Sequence, residues 1–206
     1  MDPLTLIVLG ALDALFLWPL AVLLRRGGGA RGLECAASFI GGFNRRLGDW
    51  VAWLALAMVA LQFIVVILRY AFGIGSIFLQ EGILYLNGAL FLLAASYTLL
   101  MDGHVRVDIF YRETSPARRA LVDFAGAYLF LVPVMNAVWV LSLPYVRTSW
   151  SVLEGSRETS GIPAVYLLKT LILVFAVLML LQGFALAARA ALRLAGRGAP
   201  ARPSAA

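Results

Sequence analysis

Five apolar runs, each close to the length that crosses a membrane, dominate this sequence. They cover about residues 4–24, 50–68, 83–101, 121–146 and 165–188. About 20 apolar residues in a row span the hydrocarbon core of a bilayer as an α-helix. Only helices and closed barrels satisfy all of their backbone hydrogen bonds there. The sequence therefore predicts an all-α fold, a polytopic bundle of transmembrane helices.

Composition favours a membrane protein and argues against a nucleic-acid partner. Charged residues make up 14% of the chain and hydrophobic residues 62%, whereas about a quarter of a soluble domain is charged. The net charge is +6, but the basic residues lie in blocks between the apolar runs. That pattern orients a membrane protein and is a poor signal for nucleic-acid binding. Cys35 is the single cysteine, so an intramolecular disulfide is excluded.

The distribution of Lys and Arg predicts the orientation of the chain. Thirteen of the 17 basic residues follow the first, third or fifth run, and four follow the second or fourth. Because cytoplasmic loops are rich in Lys and Arg, we expect a periplasmic N-terminus and a cytoplasmic C-terminus in the inner membrane. The Gly/Arg-rich segment 25–49 is predicted to be a cytoplasmic linker with a short surface helix near residues 36–47, and residues 191–206 a disordered tail. The first run lacks the basic start and the cleavage site of a signal peptide.

The cytoplasmic loop from Met101 to Phe124 concentrates charge and holds the only histidine, His104. Alternating apolar and polar residues predict an interfacial segment whose arginines reach lipid headgroups. Ser115 followed by Pro116 predicts a capped helix start.

A chemical role for the same loop is the less favoured alternative. His104 and Asp108 are four residues apart and would share a helix face. One His and one Asp do not complete a metal site. We therefore predict no metal, no cofactor and no catalytic residue; a membrane enzyme or redox subunit using this pair stays open as an alternative.

Polar residues inside the runs are few. Asp13 is the clear charge within a span, and we expect it to be protonated or paired, with its role left open. The other runs offer mostly one amide each, which more often bonds between helices than carries substrate: Gln62, Asn87, Asn136 and Gln182. A chain that moved ions alone should show more polar groups and broken helices at the midplane. The pattern favours a bundle that packs against a partner, with a stand-alone oligomeric channel or carrier as the alternative.

The predicted outer loop between the last two runs has two possible roles. Trp150 and Tyr166 are placed like membrane-interface anchors. The sequence Gly161-Ile162-Pro163 breaks the chain before the fifth run, and Lys169 is expected to extend outward from it. The loop is either an ordinary turn or a docking surface for an extracytoplasmic partner.

Four stretches resemble the DctQ-like small membrane subunit of tripartite ATP-independent periplasmic (TRAP) transporters. They are RYAFGIGSIFLQEGILYL, DGHVRVDIFY, ETSGIPAVYLLK and LLQGFALAARA, in that order. The resemblance covers about residues 50–190, and the GHVRVD-type stretch is its most specific part. It marks these residues as motif or interface candidates: Arg69, Glu81, His104, Arg106, Asp108, Tyr111, Glu158, Ser160, Gly161, Pro163, Lys169 and Gln182.

The resemblance implies a role and one departure from the family pattern. It implies a non-catalytic subunit that braces a large DctM-like membrane subunit, in contact with membrane lipids. A periplasmic DctP-like receptor would deliver an organic acid, and an ion gradient, usually sodium, would drive uptake. The family pattern has four spans, so residues 1–24 would be an extra N-terminal helix before a four-span domain at 50–190. Asp13 has no counterpart in that pattern.

Overall fold

A computed structural model describes residues 3–25, 29–104 and 115–196, and all regular secondary structure within these ranges is helical. The helices are α1 (Pro3–Arg25), α2 (Ala30–Ala71), α3 (Ile77–Leu100), α4 (Pro116–Gly126), a π-helical turn (Ala127–Leu131), α5 (Val132–Ser151) and α6 (Val165–Leu194). Helix α4, the π turn and α5 continue without a break and form one spanning helix. The described residues therefore contain five helices long and apolar enough to cross a membrane. The all-α prediction with five spans is confirmed.

Helix α6 lies at the centre of the bundle, where it contacts every other helix of the described chain. Its second half is rich in buried alanine: Ala185, Ala187, Ala188, Ala190 and Ala191. Small side chains let neighbouring backbones approach closely, which is how helices associate in lipid. Helices α2 and α3 pack against each other as a hairpin, and many of their large apolar side chains stay exposed.

Helix α2 is longer than the sequence predicted. It has 42 residues, about 63 Å at the helical rise, and it begins after Gly29, whose φ is 88°. The surface helix expected near residues 36–47 is therefore the first half of a helix that continues into the second span, and no flexible linker extends to Asp49. The reason is a buried stripe that packs against α3 and α6 and outweighs the Gly/Arg-rich composition: Leu33, Ala37, Gly41, Asn44, Gly48 and Val51.

Close contact between α2 and α3 requires glycine at position 48. A Cβ atom there would lie 2.3 Å from Cδ2 of the Tyr97 ring, which is shorter than van der Waals contact. A side chain at this position would push the two helices apart, so the hairpin depends on a residue that composition alone assigned to a linker.

Proline shapes the fourth spanning helix. The Ser115 hydroxyl accepts a hydrogen bond from the Arg118 backbone N–H at 3.4 Å, and Pro116 occupies the first turn, as predicted. The π turn ends directly before Val132 and Pro133. Proline lacks an N–H and its ring clashes with the carbonyl four residues earlier, and a π turn gives that carbonyl room. The π turn therefore accommodates Pro133 within a continuous helix.

The extra N-terminal helix is part of the core. Phe16 of α1 is buried and makes edge-to-face contacts with Tyr128 and Phe184, at centroid distances of 5.5 and 6.0 Å. The Tyr128 hydroxyl donates a hydrogen bond to the Phe16 carbonyl oxygen. Pro19 lies three residues further on within the same helix, where its missing N–H leaves the carbonyl of Leu15, four residues earlier, without its helical donor.

The C-terminal end of the bundle is also longer than expected. Helix α6 continues to Leu194, so residues 191–194 are helical and do not belong to the predicted disordered tail. Residues 197–206 lie outside the described part of the chain.

Candidate functional site

One carboxylate of α3 holds the loop 152–164 that connects α5 to α6. The Ser156 hydroxyl donates a hydrogen bond to Glu81 Oε1, and the Ile162 backbone N–H donates to Glu81 Oε2 at 2.6 Å. Ser156 Oγ also accepts a hydrogen bond from the Glu158 backbone N–H at 3.0 Å. Glu81 therefore joins both sides of the loop to a helix more than 70 residues away in sequence.

Gly161 makes room for this carboxylate. A Cβ atom at position 161 would lie 2.6 Å from Glu81 Oε2 and 2.2 Å from Ser156 Oγ. The neighbouring turn is less crowded, since a Cβ on Gly155 would lie 3.4 Å from Pro163 Cα, an ordinary van der Waals contact. The Gly161-Ile162-Pro163 break predicted from the sequence is therefore the part of the loop that folds over Glu81.

A second anchor fixes the start of the same loop. Lys169 of α6 forms an ion pair with Glu154 and lies 3.9 Å from the centroid of the Tyr145 ring. The hydrogen bond from Lys169 holds the pKa of Glu154 below its usual range, because it stabilises the charged carboxylate. Lys169 thus reaches from α6 toward the loop, the direction expected of a lysine that extends out of a span.

The two aromatic anchors predicted at the ends of this loop contact each other. The rings of Trp150 and Tyr166 meet edge to face at a centroid distance of 4.7 Å. The Trp150 indole N–H donates a hydrogen bond to Thr170 Oγ1 at 2.8 Å. Both rings therefore close the junction between α5 and α6 and give the loop a rigid base.

The tip of the loop presents polar side chains on this base. Arg157, Glu158, Thr159 and Ser160 are all exposed. Among the described residues no group of three or more His, Cys, Asp or Glu side chains is arranged to hold a metal ion. The arrangement is suited to docking, since an ordered loop displays charged and hydrogen-bonding groups in fixed positions.

Two sets of polar side chains within the spans bond to each other between helices. Asn44 Nδ2 donates to Gln182 Oε1 at 2.8 Å, and Ser96 Oγ donates to Asn44 Oδ1 at 3.1 Å. None of the three residues is more than 1% exposed. The network joins α2, α3 and α6. Gln182 was a predicted candidate, whereas Asn44 was missed because it lay in the expected linker.

Asp13 pairs with an amide on another helix. Asn136 Nδ2 of α5 lies 3.1 Å from Asp13 Oδ1 and 3.0 Å from Oδ2. The structure thus places beside Asp13 the amide that the sequence suggested would bond between helices. This contact fastens the extra helix α1 to the bundle.

The remaining candidates lie apart from these clusters. Arg69 is exposed near the end of α2, and His104 is exposed just after α3. Arg106, Asp108 and Tyr111 lie outside the described residues, as does the predicted interfacial segment. Glu81 accepts hydrogen bonds from the Ser156 hydroxyl and the Ile162 backbone, and Ser156 in turn contacts the Glu158 backbone. The Ser156 hydroxyl at the centre of these contacts was not predicted. A small polar residue in a polar loop carries little signal of its own.

Together these features define a polytopic helical membrane protein with internally paired polar groups and one ordered loop at the end of the bundle. The family model described as "Tripartite ATP-independent periplasmic transporters, DctQ component" matches residues 58–193, more than half of the chain. The chain therefore belongs to the DctQ family, the small permease components of TRAP transporters, as the resemblance implied. No curated protein and no solved structure matches it. Helix α1 and the first half of α2 precede the matched region.

Proposed function

We propose that this chain is the non-catalytic small permease subunit of a TRAP-type secondary transporter and braces a large DctM-like subunit. The observation that carries the proposal is the pairing of polar groups between helices, at Asn44–Gln182, Ser96–Asn44 and Asp13–Asn136. Groups engaged in this way hold helices in position, whereas polar groups of an ion path line a cavity. An internally fastened bundle is suited to act as a fixed support for a moving neighbour.

The ordered loop supports a second part of the proposal, the seating of a DctP-like periplasmic receptor. Its exposed tip, residues 157–160, is held on the Glu81 and Glu154–Lys169 anchors. A surface that is ordered before binding loses less conformational entropy when a partner docks. Family membership supports the rest: the receptor delivers an organic acid, and a sodium gradient drives its uptake.

Co-purification tests the subunit role. The chain would be tagged at its C-terminus, extracted from membranes in mild detergent and analysed by mass spectrometry, with untagged membranes as the control. We expect a larger polytopic protein to co-elute at equal stoichiometry. Elution of the chain alone as a stable homo-oligomer would contradict the proposal and favour a stand-alone channel or carrier.

Transport in proteoliposomes tests the substrate and the coupling ion. The co-purified pair and its receptor would be assayed with radiolabelled carboxylates under an inward sodium gradient, with potassium replacing sodium as the control. We expect uptake that needs both the receptor and sodium. Equal uptake in sodium-free buffer under a proton gradient would remove sodium from the proposal and leave the subunit role intact.

A further inference from the structure

The first half of α2, residues 30–53, has three distinct faces. One is the buried stripe that packs against α3 and α6. It recurs every three or four residues, from Leu33 to Val51. Because a helix turns once in 3.6 residues, the residues between these positions form two further faces. Both are exposed, and they differ in chemistry.

The face opposite the buried stripe is aromatic. It recurs at the same intervals and consists of Phe39, Phe43, Arg46, Trp50 and Trp53. Its two phenylalanines are 77% and 49% exposed and its two tryptophans 76% and 68% exposed. Exposed aromatic rings in such number are unusual in water, and tryptophan is enriched where a membrane meets water.

The third face is charged. It carries Arg31, Glu34, Ser38, Arg45 and Asp49, all of them exposed. Both acidic residues of the segment lie on this face, whereas Arg46 lies within the aromatic face beside Arg45. Arg45 and Arg46 are consecutive, so they carry positive charge on both sides of the border between the aromatic and the charged face. Positive charge beside an aromatic surface matches the phosphate of a lipid whose acyl chains lie against the rings.

Helix α2 is long enough for its first half to lie outside the hydrocarbon core. The helix is 42 residues long, about twice what is needed to cross about 30 Å of hydrocarbon. Its second half is the apolar part, and Arg31, Arg45, Arg46, Glu34 and Asp49 all lie in the first half. A helix with one face on protein, one aromatic and one charged fits the boundary between lipid and water.

We propose that the first half of α2 is a binding site for acidic phospholipids. Arg45 and Arg46 bind the phosphate headgroup, and the aromatic face contacts the acyl chains. The segment precedes residue 58, where the match to the family model begins, so the site lies outside the matched region. It requires only a membrane-embedded chain and is independent of the proposed transporter role.

Lipid retention tests the arginine pair. The full chain would be purified from membranes in mild detergent, and its retained phosphatidylglycerol and phosphatidylethanolamine would be measured by mass spectrometry. We expect phosphatidylglycerol to be enriched several-fold over the bulk membrane, and the enrichment to be lost in the Arg45→Gln/Arg46→Gln variant. Arg69→Gln is the matched control, since it removes an exposed arginine from the far end of the same helix. Equal retention by all three proteins, or an equal loss in the control, would overturn the proposal.

Tryptophan quenching tests the aromatic face without altering the arginines. The chain would be placed in nanodiscs with brominated phosphatidylglycerol or brominated phosphatidylcholine at equal fractions. The signal of Trp50 and Trp53 is the difference between the wild type and the Trp50→Phe/Trp53→Phe variant. We expect stronger quenching by the acidic lipid. Equal quenching by both lipids would refute headgroup recognition, and quenching by neither would refute contact between this face and lipid.

Discussion

At the scale of single residues, a few side chains connect segments that are distant in sequence. Glu81 contacts Ser156 and the Ile162 backbone, and Lys169 contacts Glu154 and Tyr145. Each of these two charged side chains makes more than one contact. Hydrogen bonds to ionised groups are stronger than those between neutral groups. These side chains add to the backbone hydrogen bonds within the loop 152–164, such as the one from Ser156 N–H to the Ile162 carbonyl at 3.1 Å.

Replacing Glu81 should loosen the loop without unfolding the bundle. In Glu81→Ala the Ile162 amide loses its acceptor, so we expect its hydrogen exchange to accelerate roughly tenfold or more, with the helices unchanged. Gln80→Ala, at the exposed position next to it, is the control. Amide hydrogen exchange over residues 152–164 would be measured by mass spectrometry in the wild type and in both variants. Unchanged protection in Glu81→Ala would show that the loop is held by other contacts.

At the scale of helices, α1 is bound to the bundle by specific contacts. In lipid, apolar surface alone does not drive helices together, and close packing and hydrogen bonds do. The Phe16 ring contacts and the pair of Asp13 with Asn136 provide both. The helix that precedes the family region is thus a structural part of this subunit.

A double-mutant cycle on Asp13 and Asn136 should reveal this coupling. Each single change, Asp13→Leu or Asn136→Leu, leaves a polar group without its partner and should lower the free energy of unfolding by roughly 1–2 kcal/mol. The double variant should lower it by less than the sum of the two single changes. Gln62→Leu, which alters an exposed amide of α2, is the control and should change little. Unfolding in mixed detergent micelles gives the free energies, and strictly additive values would show that the pair is not coupled.

At the scale of the whole molecule, the five spans alternate in direction along the chain. The last of them, α6, contacts all the others. The order of the helices sets these directions relative to one another. The excess of Lys and Arg on one side is the physical basis for the predicted direction relative to the membrane. The count of basic residues thus predicts on which side of the membrane the loop 152–164 lies.

Cysteine labelling should show this orientation. Cys35 is exposed and is predicted to be cytoplasmic, so a membrane-impermeant maleimide should label it only after spheroplasts are permeabilised. In a Cys35→Ser background, Ser160→Cys at the exposed loop tip should be labelled in intact spheroplasts. The reverse pattern in both proteins would show that the chain is inserted the other way round.

The sequence by itself determined the membrane class, the five spans and the family. These follow from apolar run length, the positions of basic residues and short motifs, which are local properties of the chain. The Ser115–Pro116 helix start was also local and was predicted. The helix boundaries of α2 were not, because the pattern of small residues that buries its first half has meaning only opposite α3 and α6.

The tertiary structure alone decided which polar groups meet. Asn44 and Gln182 are 138 positions apart, and Ser96 and Asn44 are 52 apart. The sequence predicted bonding between helices for Gln182 but not for Asn44 or Ser96, since unpaired polar groups are costly in lipid but Asn44 lay in the expected linker. Their partners depend on the tilt and rotation of helices packed around α6, and the same packing brings Glu81 against the loop 152–164. Those angles result from many weak contacts acting together, and no short stretch of sequence contains them.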